Sequence, residues 1–151
     1  MVSCIEAQSL ITPKSAERAT FDPAQLDLVE LNRRFETSTP QEILAWAIAT
    51  VPNLAQMTSF SMLAITHMLY QELKAEVPVI FLDTLYHFPE TLETARKATE
   101  AYKLKLYTYR AAANREEFIA NYGDRLWEKD VDRFHYLTKV QPMEEALDQL
   151  S

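Results

Sequence analysis

A parallel β-sheet flanked by helices is the α/β fold class this 151-residue sequence predicts, on three observations. Residues 79–82, Val-Ile-Phe-Leu, form a continuous apolar run, the pattern of a strand covered on both faces. The run ends in the polar pair Asp83 and Thr84 and soon gives way to Pro89 and Glu90, a helix start. Extended and helical patterns alternate along the chain, the order that right-handed crossovers between parallel strands require. Ligands of open α/β sheets sit in the crevice outside the carboxyl ends of the strands, so Asp83 and Thr84 are the first candidates for a site. The plainer alternative for an Asp-Thr pair there is ordinary turn chemistry.

The elements follow in order. Residues 1–22 lack sustained periodicity and are expected to be an irregular arm ahead of one domain spanning residues 23–151. From Pro23, the apolar positions Leu26, Val29, Leu31 and Phe35 recur at near-helical spacing, with Asp22 as cap and Pro23 at the first helical position. Thr39, Pro40 and Glu42 supply a cap, a preset φ and an early acidic charge for a second helix. Its apolar face is Ile43, Leu44, Ala47 and Ile48, and it ends before Pro52. Residues 54–60 read as a short strand, weakened by Gln56 and ended by Thr58, Ser59 and Ser61. Residues 62–73 are apolar nearly all round, which predicts a helix buried against the sheet with His67 as a packed core or boundary residue. After the 79–82 strand, a helix from Pro89 turns Leu92, Ala95 and Ala98 inward, and residues 105–109 alternate as a third strand. Residues 115–122 form a helix closed by Gly123, and residues 144–150, introduced by Pro142, a final amphipathic helix. With no closing strand, the sheet is expected either to be incomplete or to have its open edge covered by a partner such as a second copy of the chain.

Composition excludes several function classes. With 48% hydrophobic and 11% aromatic residues the chain can build a core, and a net charge of −7 speaks against a nucleic-acid surface. No apolar run approaches the roughly 18 residues that span a bilayer, and no leader pattern opens the chain, so no membrane contact and a cytoplasmic location are expected. Cys4 alone cannot make an internal disulfide or a cysteine-rich metal site and reads as an incidental thiol. No Cys, Asp or Glu lies three or four residues from His67, so no metal site is expected. Gly123 is the only glycine, where ordinary usage of roughly 7% would give about ten, so a glycine-rich phosphate loop is excluded.

Four segments together carry a family resemblance: Thr58-Ser-Phe-Ser61, Asp83-Thr-Leu-Tyr-His-Phe-Pro-Glu-Thr91, Tyr122-Gly-Asp-Arg-Leu-Trp-Glu128 and Lys139-Val-Gln-Pro-Met143. In this order they resemble phosphoadenylyl-sulfate (PAPS) reductases, and Leu31-Asn-Arg-Arg-Phe-Glu36 resembles the cyanobacterial members, so the similarity covers roughly residues 26–150. The resemblance implies a Rossmann-like, adenine-nucleotide α-hydrolase-like fold. It also implies reduction of phosphoadenosine phosphosulfate to sulfite in sulfate assimilation and cysteine biosynthesis, with thioredoxin or glutaredoxin as electron donor. Thr58, Ser59 and Ser61 then match the phosphate loop, where hydroxyls and the N–H groups at the mouth of a helix hold an anion. Asp83 and Thr84 match the second strand end that meets the nucleotide, PAPS or adenosine 3′,5′-bisphosphate, and Lys139 matches the basic residue of the Lys-Val-x-Pro motif.

The departures carry expectations of their own. Ser61 and Leu85 stand where the family has glycine, each adding a Cβ where a positive φ or a close approach to an anion is expected. The family's nucleophile is a cysteine in a carboxyl-terminal Glu-Cys-Gly motif; Cys4 does not match it, so no catalytic residue is assigned and the chain by itself is expected to be inactive. Phe134 and His135 replace the cysteine pair of the iron–sulfur branch, which implies the cluster-free branch and no bound cofactor. The alternative reading is a degenerate or redesigned α/β domain without enzymatic activity, a protein-interaction module working through its open sheet edge. A hydrolase built on Asp83, His87 and Glu90 is disfavoured, because a strand end followed by a helix points them in different directions.

Overall fold

The computed structural model describes residues 21–150, and the chain packs as two compact units that divide between Pro52 and Asn53. Cys4 and nearly all of the expected arm lie outside the described residues.

In the first unit, Asp22 accepts from the Ala24 N–H at 3.0 Å and caps a 3₁₀ turn, Pro23–Gln25. Leu26 is extended, and a second cap, Asp27, accepts from the Glu30 N–H and starts α1 (Leu28–Phe35). The expectation of a single helix from Pro23 is thereby corrected: two successive acidic caps each claim a helix start, and the chain obeys both. Helix α2 (Pro40–Thr50) begins as predicted. The Thr39 N–H donates to the Glu42 carboxylate at 2.7 Å while the Glu42 N–H donates to Thr39 Oγ1 at 3.3 Å, a reciprocal capping box. The Phe35 and Trp46 rings meet edge to face at 5.2 Å and join the two helices.

The second unit is built on three parallel strands in the order β1 (Gln56–Met57), β2 (Val79–Leu82) and β3 (Leu106–Tyr109). Gln56 faces Val79 across the first pair, and β3 pairs with β2 along its whole length, from Val79–Leu106 to Leu82–Tyr109. Val79, Ile80 and Phe81 are 0%, 3% and 3% exposed. Consecutive residues of a strand point to opposite faces, so burial of all three means that both faces are covered, as the unbroken apolar run predicts.

The 54–60 strand shrinks to the two residues of β1. Gln56 turns its amide to the buried Thr66 hydroxyl, with Nε2 donating at 2.9 Å, and Phe60 takes a left-handed φ of 58° that ends the extended run. Helix α3 (Ala64–His67) continues without a break into a π-helical turn, Met68–Glu72. Only one side of it is buried, through Thr66, Leu69 and Tyr70; Met62, Ile65 and His67 are exposed, which corrects the expectation of an all-round buried helix with a packed histidine. His67 Nδ1 lies 3.3 Å from the Tyr102 hydroxyl, and Nε2 lies 3.7 Å from the Glu72 carboxylate. The π turn aligns residues five apart, so it brings Glu72 onto the histidine's face where three- and four-residue spacing shows nothing. The Tyr70 hydroxyl donates to the Val77 carbonyl at 2.5 Å and accepts from the Lys105 N–H at 3.3 Å, tying together the entrances of β2 and β3. Burial pushes this phenol above the usual tyrosine range, which keeps it protonated as a donor.

Helix α4 (Pro89–Tyr102) buries Ala95 and Ala98 as predicted, whereas Leu92, at the edge of that stripe, is 43% exposed rather than inward. Helix α5 (Arg115–Tyr122) is capped by Asn114 and closed by Gly123 at φ 91°. Two short helices the sequence reading did not identify follow, α6 (Leu126–Lys129) and α7 (Val131–His135), and then a second π-helical turn, Tyr136–Val140. The last helix, α8 (Gln141–Leu150), starts earlier than the expected residue 144 because it grows directly out of that turn. Pro142 follows that turn closely and is buried. Helix α8 packs on β2 and β3, and the Tyr109 hydroxyl donates to Gln149 Oε1 at 2.8 Å. Phe118, Leu126 and Leu137 form a buried cluster with Leu85, Tyr86 and Phe134 around it. Among the described residues no helix is long and apolar enough to cross a membrane.

Phe118 is fully buried, so Phe118→Ala is expected to lower unfolding free energy by about 3–5 kcal/mol, read from urea denaturation midpoints. At Gly123 an added Cβ would meet nothing within 4 Å, so Gly123→Ala is expected to cost about 1–3 kcal/mol through the backbone conformation alone.

Candidate functional site

The carboxyl ends of the three strands carry the polar groups singled out above. Past β1, the Thr58 N–H extends the ladder by donating to the Ile80 carbonyl at 3.0 Å, and Thr58 Oγ1 accepts from the Phe60 N–H at 3.0 Å. That hydroxyl accepts within the turn and keeps its own hydrogen to donate. Ser59 and Ser61 are exposed, with their hydroxyl oxygens 2.9 Å apart. The left-handed residue of this turn is Phe60, not Ser61, so the expectation of strain at Ser61 is corrected. Phe60 is 4% exposed and sets its ring edge-on against Phe81 at 5.2 Å, so a buried aromatic holds the turn. Leu63 gives α3 no side-chain cap, which leaves the first N–H groups of that helix without a side-chain acceptor. A cavity of about 190 Å³ opens here, lined by Gln56, Met57, Thr58, Ser59, Ser61, Met62, Ala64 and Ile65.

Past β2, the Asp83 N–H donates to the Tyr109 carbonyl at 2.9 Å, so the ladder runs one residue beyond the strand. Asp83 Oδ1 accepts from the Leu85 N–H at 2.9 Å, and Oδ2 lies 3.4 Å from Arg110 Nη2 just past β3. Thr84 Oγ1 accepts from the Tyr86 N–H at 3.4 Å, the second hydroxyl turn of the site. Leu85 is left-handed at φ 65°, the conformation expected where the family pattern has glycine, and its side chain packs on the Phe118 cluster. His87 turns back rather than outward: Nε2 donates to the Leu82 carbonyl at 3.1 Å and the ring stacks on Phe81 at 5.0 Å. This role closes the loop between β2 and α4 and was not visible in the sequence.

Thr58, Ser59 and Ser61 therefore share one turn, and Asp83 and Thr84 stand at the neighbouring strand end. Lys139 is exposed in the π turn before α8, and no hydrogen bond or ion pair joins it to those five residues. Sequence reasoning missed Arg110; a cation placed immediately after the third strand was the available signal.

Residues 53–151 match the family model described as phosphoadenosine phosphosulfate reductase domain. A probable phosphoadenosine phosphosulfate reductase of Schizosaccharomyces pombe is 34% identical over 149 residues, covering 95% of this chain and 55% of that protein. A phosphoadenosine 5′-phosphosulfate reductase of Xanthomonas campestris is 38% identical over 134 residues, covering 85% and 55%. The crystal structure of a PAPS reductase from Candida auris, a phosphate complex, superposes with a TM-score of 0.75 at 39% identity, covering 81% of this chain and 61% of that one. The three parallel strands and flanking helices are the adenine-nucleotide α-hydrolase-like fold of that structure. The chain spans about half the length of the curated relatives it matches.

A left-handed leucine bears about 1–2 kcal/mol of backbone strain, and Leu85, being partly buried, contributes less than the ~1.5–3 kcal/mol of full burial. Leu85→Ala loses the packing and keeps the strain, whereas Leu85→Gly loses the packing and relieves it. The glycine variant is expected to be the more stable of the two by about 1 kcal/mol in thermal or urea unfolding.

Proposed function

The chain belongs to the phosphoadenosine phosphosulfate reductase family, and from that premise we propose that it holds the nucleotide of a thioredoxin- or glutaredoxin-dependent reductase of sulfate assimilation. Thr58, Ser59 and Ser61 bind the phosphosulfate end, Asp83 and Thr84 meet the nucleotide at the next strand, and Lys139 neutralises substrate charge. The observation that carries this reading is the turn from Thr58 to Ser61: donor hydroxyls and an uncapped helix start face one small cavity. Whole-ligand pockets measure roughly 300–1,000 Å³, so a cavity of about 190 Å³ suits one anionic group rather than an entire nucleotide. The remainder of the ligand lies across the strand ends.

Sulfite formation needs a thiol to take the sulfonyl group, and the only cysteine of the 151 residues, Cys4, does not match the family's Glu-Cys-Gly nucleophile. The chain by itself therefore binds nucleotide without reducing it. The competing reading, a non-enzymatic interaction module, drew on the glycine replacements. Leu85 sits in the left-handed region with its side chain packed against the Phe118 cluster, so its loop keeps the backbone course a glycine would give, and this favours the nucleotide reading.

Calorimetric titration with adenosine 3′,5′-bisphosphate tests the proposal. Micromolar binding is expected, weakened about tenfold by Lys139→Ala, with no thioredoxin-dependent sulfite formed by the chain alone. A folded chain that binds no bisphosphate would overturn it.

A further inference from the structure

Resting on that nucleotide reading, we infer that Arg110 is a further anion-binding residue of the site and that Asp83 is its positioning partner rather than a ligand of the substrate's anionic groups. The ladder places the pair. The Asp83 N–H to Tyr109 carbonyl bond carries the β2–β3 register past both strands, so Asp83 and Arg110 leave the sheet side by side. Both oxygens of the Asp83 carboxylate are engaged, one by the Leu85 N–H and one by the Arg110 guanidinium, and the side chain is only 12% exposed. A carboxylate in this position repels phosphate or sulfate oxygens and orients what stands next to it.

Arg110 has the opposite character. Its side chain is 43% exposed, Nη1 reaches the Ala113 carbonyl at 3.4 Å, and Nη2 reaches Asp83 at 3.4 Å. A guanidinium carries five N–H donors, so these two contacts leave the rest of the fork open to solvent at the strand ends. Its contact with Asp83 is single-point and long beside the 2.7–2.9 Å of a bidentate pair, which orients the cation without saturating it. Neighbouring strands lie about 4.8 Å apart, which sets the end of β3 about 10 Å from the Thr58 turn. That separation suits a ligand with two distinct anionic groups, one at each end of the sheet's carboxyl edge. Several other guanidinium groups are engaged away from the strand ends: Arg96 with Glu93 and Glu100, Arg125 with Glu128, and Arg115 over the Tyr86 ring.

The test is a double-variant cycle on the full 151-residue chain, titrated with adenosine 3′,5′-bisphosphate alongside melting midpoints. Arg110→Gln is expected to weaken binding about tenfold, and Arg110→Lys, which keeps charge but loses the fork, about threefold. Asp83→Asn keeps the acceptor for the Leu85 N–H and is expected to weaken binding less than Arg110→Gln. The double variant is expected to bind no more weakly than Arg110→Gln, because Asp83 acts through Arg110. Binding by Arg110→Gln within about twofold of the unaltered chain overturns the role of Arg110, and where that variant fails to fold an unchanged Arg110→Lys does the same. Additive losses in the double variant overturn the positioning role of Asp83. Absence of bisphosphate binding by the folded, unaltered chain instead overturns the nucleotide reading, and the role of Arg110 falls with it.

Discussion

Strand β2 hydrogen-bonds to β1 on one side and to β3 on the other, and both ladders continue past the last paired residues through Thr58 and Asp83. Three strand ends are consequently held level, and the polar groups that follow them emerge along one edge of the sheet. A backbone paired on both sides is fully buried only with apolar side chains on both faces, which Val79, Ile80 and Phe81 supply. A polar residue in that run would be left without partners, whereas one residue later Asp83 has a partner for each oxygen. The change from apolar to polar side chains thus falls at a single peptide bond, between Leu82 and Asp83.

Two left-handed turns at the candidate site are made by residues with side chains, and burial offsets part of the conformational cost. Phe60 and Leu85 each occupy the left-handed region, at about 1–2 kcal/mol per residue. Phe60 is almost wholly buried against Phe81, a contribution of about 1.5–3 kcal/mol, and the partly buried Leu85 packs on the Phe118 cluster for a smaller one. The same side chains also anchor the turns to the sheet, so a chain with one glycine forms two tight loops at its candidate site.

The net charge of −7 and an anionic ligand are compatible because recognition is local. Hydroxyl hydrogens, backbone N–H groups and one guanidinium gather at the strand ends, while several acidic side chains pair with basic ones on helix surfaces. Glu93 is one of these: its hydrogen bond from Arg96 lowers its pKa to about 2. Such i,i+3 and i,i+4 pairs sit on exposed helix surfaces.

Much of this was legible in the amino-acid sequence by itself. The unbroken run 79–82 determined β2 because only a doubly covered strand tolerates it, the Thr39–Glu42 pair determined the start of α2, and Gly123 marked the end of α5. The four motifs determined the family, and the strand end at Asp83 marked where a site would stand. Tertiary structure alone decided the rest, because the deciding contacts join residues distant in sequence or depend on a backbone angle. The π turns that pair His67 with Glu72 and start α8 early, the inward turn of His87, the left-handed turn at Phe60 rather than Ser61, and the meeting of Asp83 with Arg110 leave no periodic trace. Periodicity reports which face of an element is buried; it carries no record of which side chains two adjacent strand ends bring within reach of each other.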